Sequence, residues 1–131
     1  TVADNPHGVE VGTVEVRHAA GADDPLLGGL PARFAAQASH RQAVLRLPPQ
    51  ARRLATSARD GNHGFAFGAR AWGVQFHPEF DAGITRAYVR HYGATLRAQG
   101  DDPEACAAHC RETPHAAALL PRFAQLLPPV R

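Results

Sequence analysis

The most informative stretch of the sequence is Ala71-Trp72-Gly73-Val74-Gln75-Phe76-His77-Pro78-Glu79-Phe80. Apolar and polar residues alternate over positions 74–77, which predicts a buried strand with one apolar face and with His77 on the opposite face at its end. Pro78 has no N–H and cannot continue strand pairing, so we expect the chain to turn there. A carboxylate at Glu79 can then fold back and accept a hydrogen bond from the His77 ring. The stretch therefore predicts a histidine–carboxylate pair at the mouth of a sheet.

A histidine–carboxylate pair commonly activates a thiol or hydroxyl held on a tight, glycine-flanked turn between a strand and a helix. These 131 residues contain no segment of that kind. Cys106 and Cys110 lie in an alanine-rich stretch that favours helix, and Ser39 and Ser57 are not set between glycines. The sequence therefore predicts a base and its orienting acid without a nucleophile.

The motif Gly73-Val74-Gln75-Phe76-His77-Pro78-Glu79 resembles the His/Glu motif of class I (triad) glutamine amidotransferases, such as the amidotransferase part of GMP synthase. Residues 8–16, residues 37–44 and the helical stretch after Phe80 fit the same family in order, so the resemblance covers residues 1 to about 98. It implies an α/β fold in which residues 1–98 form the C-terminal half of a flavodoxin-like class I domain. Residues 99–131 are then a helical C-terminal extension of the same domain.

The resemblance also implies the chemistry, namely glutamine hydrolysis to glutamate and ammonia by a Cys–His–Glu triad. A cysteine from the upstream half of the domain attacks the glutamine carboxamide, His77 transfers the protons, Glu79 orients the His77 ring, and the ammonia passes to an acceptor. A short loop is expected to line the glutamine pocket mainly through its backbone, with its histidine ordering the loop. That loop consists of Ser39, His40, Arg41 and Gln42.

By the same resemblance, the chain alone is expected to be inactive and to use no cofactor. Without the nucleophile strand, a sheet edge and an apolar face would be uncovered. We expect the N-terminal half that carries the cysteine, or a second copy of the chain, to cover them.

Two other functions remain open at this point. One is a γ-glutamyl peptide hydrolase of the same superfamily, and the other is a non-catalytic structural or binding fragment. A zinc site would need more than Cys106, His109 and Cys110, which share one helical face but have no second ligand pair. His77-x-Glu79 also lacks the P-C-x-x-C companion of the zinc deaminases. We therefore expect no metal.

Composition argues against several other classes of protein. The formal charge of +2 is small, and the fourteen arginines are scattered along the chain, so nucleic-acid binding is not expected. No run of about eighteen apolar residues occurs, and the N-terminus has no apolar segment, so neither a membrane span nor secretion is expected. The two cysteines do not favour a disulfide, and a reducing cytoplasm is the expected location.

The secondary structure expected before the motif is a series of strands. Residues 8–18 form one or two strands with a break at Gly12, and residues 33–47 form a second strand region interrupted by residues 39–42. Residues 53–57 and 64–68 then lead into the strand that ends at His77, as a β-meander.

Helices are expected after the motif. The first runs from Asp81 to about Ala98, Asp101-Asp102-Pro103 opens another, and Thr113-Pro114 opens the last. The stripe of the first helix contains Ile84, Ala87, Tyr88, His91 and Tyr92. We expect the tail, residues 101–127, to pack on the sheet through Leu119, Leu120, Phe123 and Leu127.

Overall fold

The computed structural model describes residues 1–19, 21 and 23–131. The strands in this part of the chain are β1 (Val2–Asp4), β2 (Glu10–His18), β3 (Arg33–His40), β4 (Gln42–Val44), β5 (Arg52–Thr56), β6 (Gly64–Phe67) and β7 (Ala71–Val74). The helices are α1 (Ala82–His91), α2 (Gly93–Ala98), α3 (Pro103–His109), α4 (Pro114–Ala117) and α5 (Leu119–Leu126).

Five of the strands form one antiparallel sheet in the order β3-β2-β5-β6-β7, and β1 pairs with β4 in a separate ribbon. The predicted meander is confirmed, because β5, β6 and β7 are consecutive antiparallel neighbours. The expected break at Gly12 is wrong. Gly12 has a φ of 126°, a value that favours glycine, yet it stays in register opposite Ala38 within an unbroken β2.

The centre of the sheet is covered on both faces, which gives a layered α/β arrangement. Val9, just before β2, and Val11, within it, pack with Val89 of α1 and Leu96 of α2. The other apolar layer contains Val16, Leu27, Phe34, Leu54, Phe76 and Leu119. Because neither face of β2 meets solvent at its start, residues 10–13 are all buried, whether apolar or polar.

The helix after the motif differs from expectation in its extent and its buried face. It divides at Tyr92 into α1 and α2. The residues of α1 that face the core are Ala82, Thr85 and Val89. Of the predicted stripe, Ile84 and Tyr88 face outward and are each 40% exposed, whereas Tyr92 packs against the core. Thr85 tolerates burial because its hydroxyl donates to the Asp81 carbonyl, 3.0 Å away.

The tail is only partly as predicted. Asp102 caps α3 by accepting from the Glu104 amide (3.0 Å), and Leu119 is buried in the core, as expected. The predicted burial of Leu120 and Leu127 is wrong, since they are 48% and 54% exposed. Phe123 makes one edge contact with Trp72, with ring centroids 6.4 Å apart. These side chains are exposed because the last helix is divided in two. α4 packs on β3, whereas α5 lies at the surface after its first residue, Leu119.

In the described part of the chain, no helix is both long enough and apolar enough to cross a membrane.

Candidate active site

The segment that carries His77 begins where β7 ends. The strand was expected to be buried and to reach His77, but it is only half-buried and stops at Val74. Beyond it, the Gln75 amide donates to the His63 carbonyl and the His77 amide donates to the Gln37 carbonyl of β3, each at 2.8 Å. The segment thus leaves its meander partner and reaches the opposite edge of the curled sheet, which ends the regular ladder early.

The turn after His77 places the carboxylate on the imidazole. The His77 carbonyl accepts from the Phe80 amide at 3.2 Å, and Pro78 occupies the turn position for which its fixed φ is suited. His77 Nδ1 lies 2.7 Å from Glu79 Oε1, which confirms the expected hydrogen-bond distance. Partial burial opposes ionisation of the Glu79 carboxyl, but the hydrogen bonds from His77 and from its own backbone lower its pKa below 4.5.

The His77 ring is also fixed by aromatic packing. Phe80 stacks on it with centroids 4.1 Å apart and an angle of 9° between the rings, and Tyr88 of α1 stacks on Phe80 at 5.2 Å. The His77 side chain remains 34% exposed. Because Nδ1 is engaged by Glu79, Nε2 is the nitrogen left to exchange a proton with a reactant. This arrangement suits a general base.

The predicted substrate loop lies beside this segment. Gln75 Nε2 donates to the Gln42 carbonyl at 2.9 Å, which links the turn between β3 and β4 to the strand that leads to His77. Ser39 pairs with Val11 in the β2–β3 ladder, and Arg41 and Gln42 are exposed. The His40 ring does not take part in this surface but turns inward.

The structure reveals a buried polar group that the sequence analysis did not single out, which we call the Glu10 cluster. Glu10 is 4% exposed and accepts hydrogen bonds from three side chains. Its Oε1 lies 2.9 Å from His40 Nε2 and 2.8 Å from His63 Nε2, and its Oε2 lies 2.6 Å from the Ser57 hydroxyl. The members of the cluster are Glu10, His40, Ser57, Asp60 and His63. A glutamate among buried valines was the one sequence signal that could have pointed to it.

Hydrogen bonding defines the protonation of His40. Its Nε2 faces the Glu10 carboxylate and its Nδ1 faces the Gln42 carbonyl at 2.9 Å, so both nitrogens must donate and the ring is an imidazolium. Burial opposes this charge, but the hydrogen bonds to Glu10 and Gln42 outweigh it and raise the pKa of His40 above 6.5. Burial also opposes the Glu10 charge, yet its three hydrogen bonds hold its pKa far below 4.5.

A dependence of stability on pH follows from His40. Its pKa is raised in the folded protein, so its contribution to the free energy of unfolding is complete below about pH 6.5 and is lost as the pH rises through the folded-state pKa. We expect wild-type protein, in a chelator, to lose unfolding free energy in urea titrations over the interval in which the pH rises above about 6.5. The His40→Gln variant should lose less unfolding free energy over the same interval. Equal slopes for the two proteins would contradict the assignment.

The two cysteines are not suited to act with His77. Both thiols are free, and Cys110 Sγ donates to the Cys106 carbonyl at 3.3 Å. Burial, together with the nearby Asp101 and Asp102 carboxylates, raises the pKa of the Cys106 thiol, which disfavours the thiolate. Cys106 lines a cavity of about 410 Å³ between β2, α2 and α3, and His77 does not line that cavity.

The comparisons with known proteins agree with one another. The family model described as glutamine amidotransferase class-I matches residues 1–91. A glutamine-hydrolysing GMP synthase of Aeropyrum pernix is 44% identical over 54 residues, which are 41% of this chain and 10% of that protein. A glutamine amidotransferase of Thermotoga maritima superposes with a TM-score of 0.69 at 26% identity, over 96% of this chain and 54% of that one.

A glutamine amidotransferase of Methylobacillus flagellatus shares the fold, with a TM-score of 0.66 at 18% identity over the whole of this chain and 57% of its own. The expected amidotransferase-like α/β fold is therefore confirmed. The chain spans about half the length of these solved relatives, and its match to the GMP synthase covers a tenth of that protein.

Proposed function

Because the chain belongs to the class-I glutamine amidotransferase family, we propose that it supplies the base and the orienting acid for glutamine hydrolysis. The observation that carries the proposal is the 2.7 Å contact between His77 Nδ1 and Glu79 Oε1. With Nδ1–H donated to the carboxylate, Nε2 has its lone pair free to take a proton, and Glu79 stabilises the imidazolium that forms.

The proposed reaction proceeds through a thioester. His77 Nε2 takes the proton of a cysteine thiol, and the sulfur bonds to the carboxamide carbon of glutamine. The Nε2 proton passes to the departing nitrogen, the C–N bond breaks, and ammonia leaves. Water then attacks the thioester carbon with His77 as base, and the proton taken from it returns to sulfur as glutamate is released. Ammonia passes to an acceptor, for which the related GMP synthase suggests a nucleotide.

Residues 39–42 are proposed to line the glutamine pocket. Two features support this role. The turn is joined to the His77 segment through the Gln75–Gln42 hydrogen bond, and it is ordered from within by His40, whose Nδ1 donates to the Gln42 carbonyl. Arg41 and Gln42 are exposed beside the segment, so the turn presents a surface that a small ligand can contact.

The nucleophilic cysteine is proposed to come from a segment outside these 131 residues. The raised pKa of Cys106 argues against that thiol, and Cys110 is buried with its sulfur bonded to the Cys106 carbonyl. Beside His77, the outward face of α1 presents Ile84 and Tyr88, each 40% exposed. We propose that the segment that carries the cysteine, from the same protein or a separate subunit, covers this apolar surface. Residues 99–131 are proposed to be a helical extension of the same domain.

The test measures glutamate and ammonia released from glutamine by the complete gene product and by the isolated 131-residue chain. We expect turnover only where a Gly-x-Cys-x-Gly turn is present, and partial recovery when the isolated chain is mixed with a separate half that carries it. γ-Glutamyl peptides are assayed in parallel, and faster turnover of these would favour a peptide hydrolase. A complete product that binds but cleaves neither substrate would overturn the proposal.

A further inference from the structure

We propose that the Glu10 cluster is a binding site for a divalent transition metal ion, with ligands from Glu10, His40, Asp60 and His63. The site is separate from the His77–Glu79 pair, and the proposal does not depend on the proposed amidotransferase activity. Zinc is the ion that the donor set fits best, because two imidazoles and two carboxylates are common zinc ligands.

Three of the four proposed ligand atoms, from Glu10, His40 and His63, already lie close together. One nitrogen from each histidine and one Glu10 oxygen lie within 4.8 Å of one another. Glu10 Oε1 is 2.9 Å from His40 Nε2 and 2.8 Å from His63 Nε2, and His40 Nε2 is 3.9 Å from Asp60 Oδ2. A tetrahedral ion with ligands at about 2.0–2.2 Å places neighbouring ligand atoms roughly 3.3–3.6 Å apart. Small side-chain shifts would therefore admit the ion.

Asp60 supplies an independent indication of a missing ligand partner. Asp60 is 3% exposed, and its Oδ1 accepts from the Asn62 amide at 2.8 Å. Its Oδ2 is buried, has no hydrogen-bond partner among the described residues, and lies 3.9 Å from His40 Nε2. An unpartnered buried carboxylate oxygen is costly, and a cation in the cluster would remove that cost.

The surrounding hydrogen bonds match the outer shell of a metal site. A metal-bound imidazole usually donates its second N–H to a carbonyl or carboxylate, as His40 Nδ1 does to the Gln42 carbonyl. Ligating carboxylates are usually held by further donors, and here the Ser57 hydroxyl binds Glu10 Oε2 and the Asn62 amide binds Asp60 Oδ1. Each of these contacts leaves a ligand atom available for the ion.

The charge balance also favours a cation. The cluster holds two buried carboxylates, Glu10 and Asp60, whose side chains are 4% and 2% exposed. A divalent ion bound between them would balance their carboxylate charge inside the protein.

The ligands of this site do not form a short sequence motif, so the expectation of no metal did not include them. Here the ligands come from the start of β2, the end of β3 and the loop before β6, and only Asp60 and His63 are close in sequence. No spacing rule connects residues 10, 40 and 60–63, so antiparallel pairing over long separations is what brings them together.

The test titrates chelator-treated 131-residue chain with Zn²⁺ by calorimetry, and with Co²⁺ by visible absorption, which reports tetrahedral coordination. We expect one ion per chain and a higher unfolding temperature with zinc. Asp60→Asn keeps Oδ1 for the Asn62 amide and removes only the ligand charge, and we expect it to weaken binding by about 100-fold or more. That expectation rests on the roughly 10–100-fold cost of losing even an outer-shell partner. His63→Gln should weaken zinc binding by a similar factor.

Two controls address other zinc-binding groups. Cys106→Ser/Cys110→Ser removes both thiols, and His77→Ala removes the exposed imidazole, and both variants should bind zinc as the wild type does. The proposal is overturned if folded wild-type protein takes up neither ion stoichiometrically, or if the thiol variant loses binding. Undiminished affinity in a folded Asp60→Asn protein would overturn the four-ligand assignment. Glutaminase activity is not a readout here, so failure of this proposal and failure of the proposed function are distinguishable.

Discussion

His77→Ala, in an assembly that hydrolyses glutamine, should lower kcat by at least about 10²–10⁴-fold, the usual contribution of a positioned general acid–base. The reason is that both the thiol proton and the ammonia proton are proposed to pass through Nε2. The fold should remain intact, because the His77 side chain is partly exposed and contributes no group to the apolar core. The measurement is the rate of glutamate release at saturating glutamine, with circular dichroism as the check on folding.

Glu79 provides the matched variants. Glu79→Gln keeps an oxygen for Nδ1–H but removes the charge, so its loss of kcat should be smaller than that of Glu79→Ala. In the isolated chain, neutral His77 should be the Nδ1–H tautomer by ¹⁵N NMR, and Glu79→Ala should shift it toward the Nε2–H form. Turnover that survives His77→Ala, or an unchanged tautomer in Glu79→Ala, would contradict the assigned roles.

Replacement of Glu10 by alanine should give the largest loss of stability in the chain, about 3–5 kcal/mol of unfolding free energy. The carboxylate is buried and accepts from His40, His63 and Ser57, so its removal leaves the His40 imidazolium without its closest counter-charge. Asp60 Oδ2 lies 3.9 Å from His40 Nε2, which is too far to replace those hydrogen bonds. The measurement is urea unfolding at pH 7 in a chelator, so that a bound metal ion does not contribute.

Glu15→Ala is the control for this prediction. Glu15 lies on the same strand, its side chain is 53% exposed, and its one ion-pair partner among the described residues is the exposed Arg17, 3.1 Å away. This variant should lose under about 1 kcal/mol of unfolding free energy, as for other surface ion pairs. If the two variants lose similar free energy, water must reach the cluster and substitute for the carboxylate.

Interactions between residues close in sequence were enough to predict the histidine–carboxylate contact and several element boundaries. The contact between His77 and Glu79 depends on the turn at Pro78, which lies between them, and the Asp102 cap depends on amides two and three residues away. Such interactions are determined by spacing along the chain, so the sequence predicted them correctly. The family resemblance contributed the roles, which spacing alone does not provide.

Tertiary structure decided the face of α1, the end of β7 and the Glu10 cluster. The aromatic residues of α1 would suit a core, but Ala82, Thr85 and Val89 face the sheet. The surface they cover is set by how β2 and β3 pair, which no pattern within the helix records. Glu10 lies in a strand covered on both faces, so the alternation that normally separates buried from exposed residues is absent there. Its partners are 30, 47 and 53 residues away, and only long-range strand pairing brings them within hydrogen-bond distance.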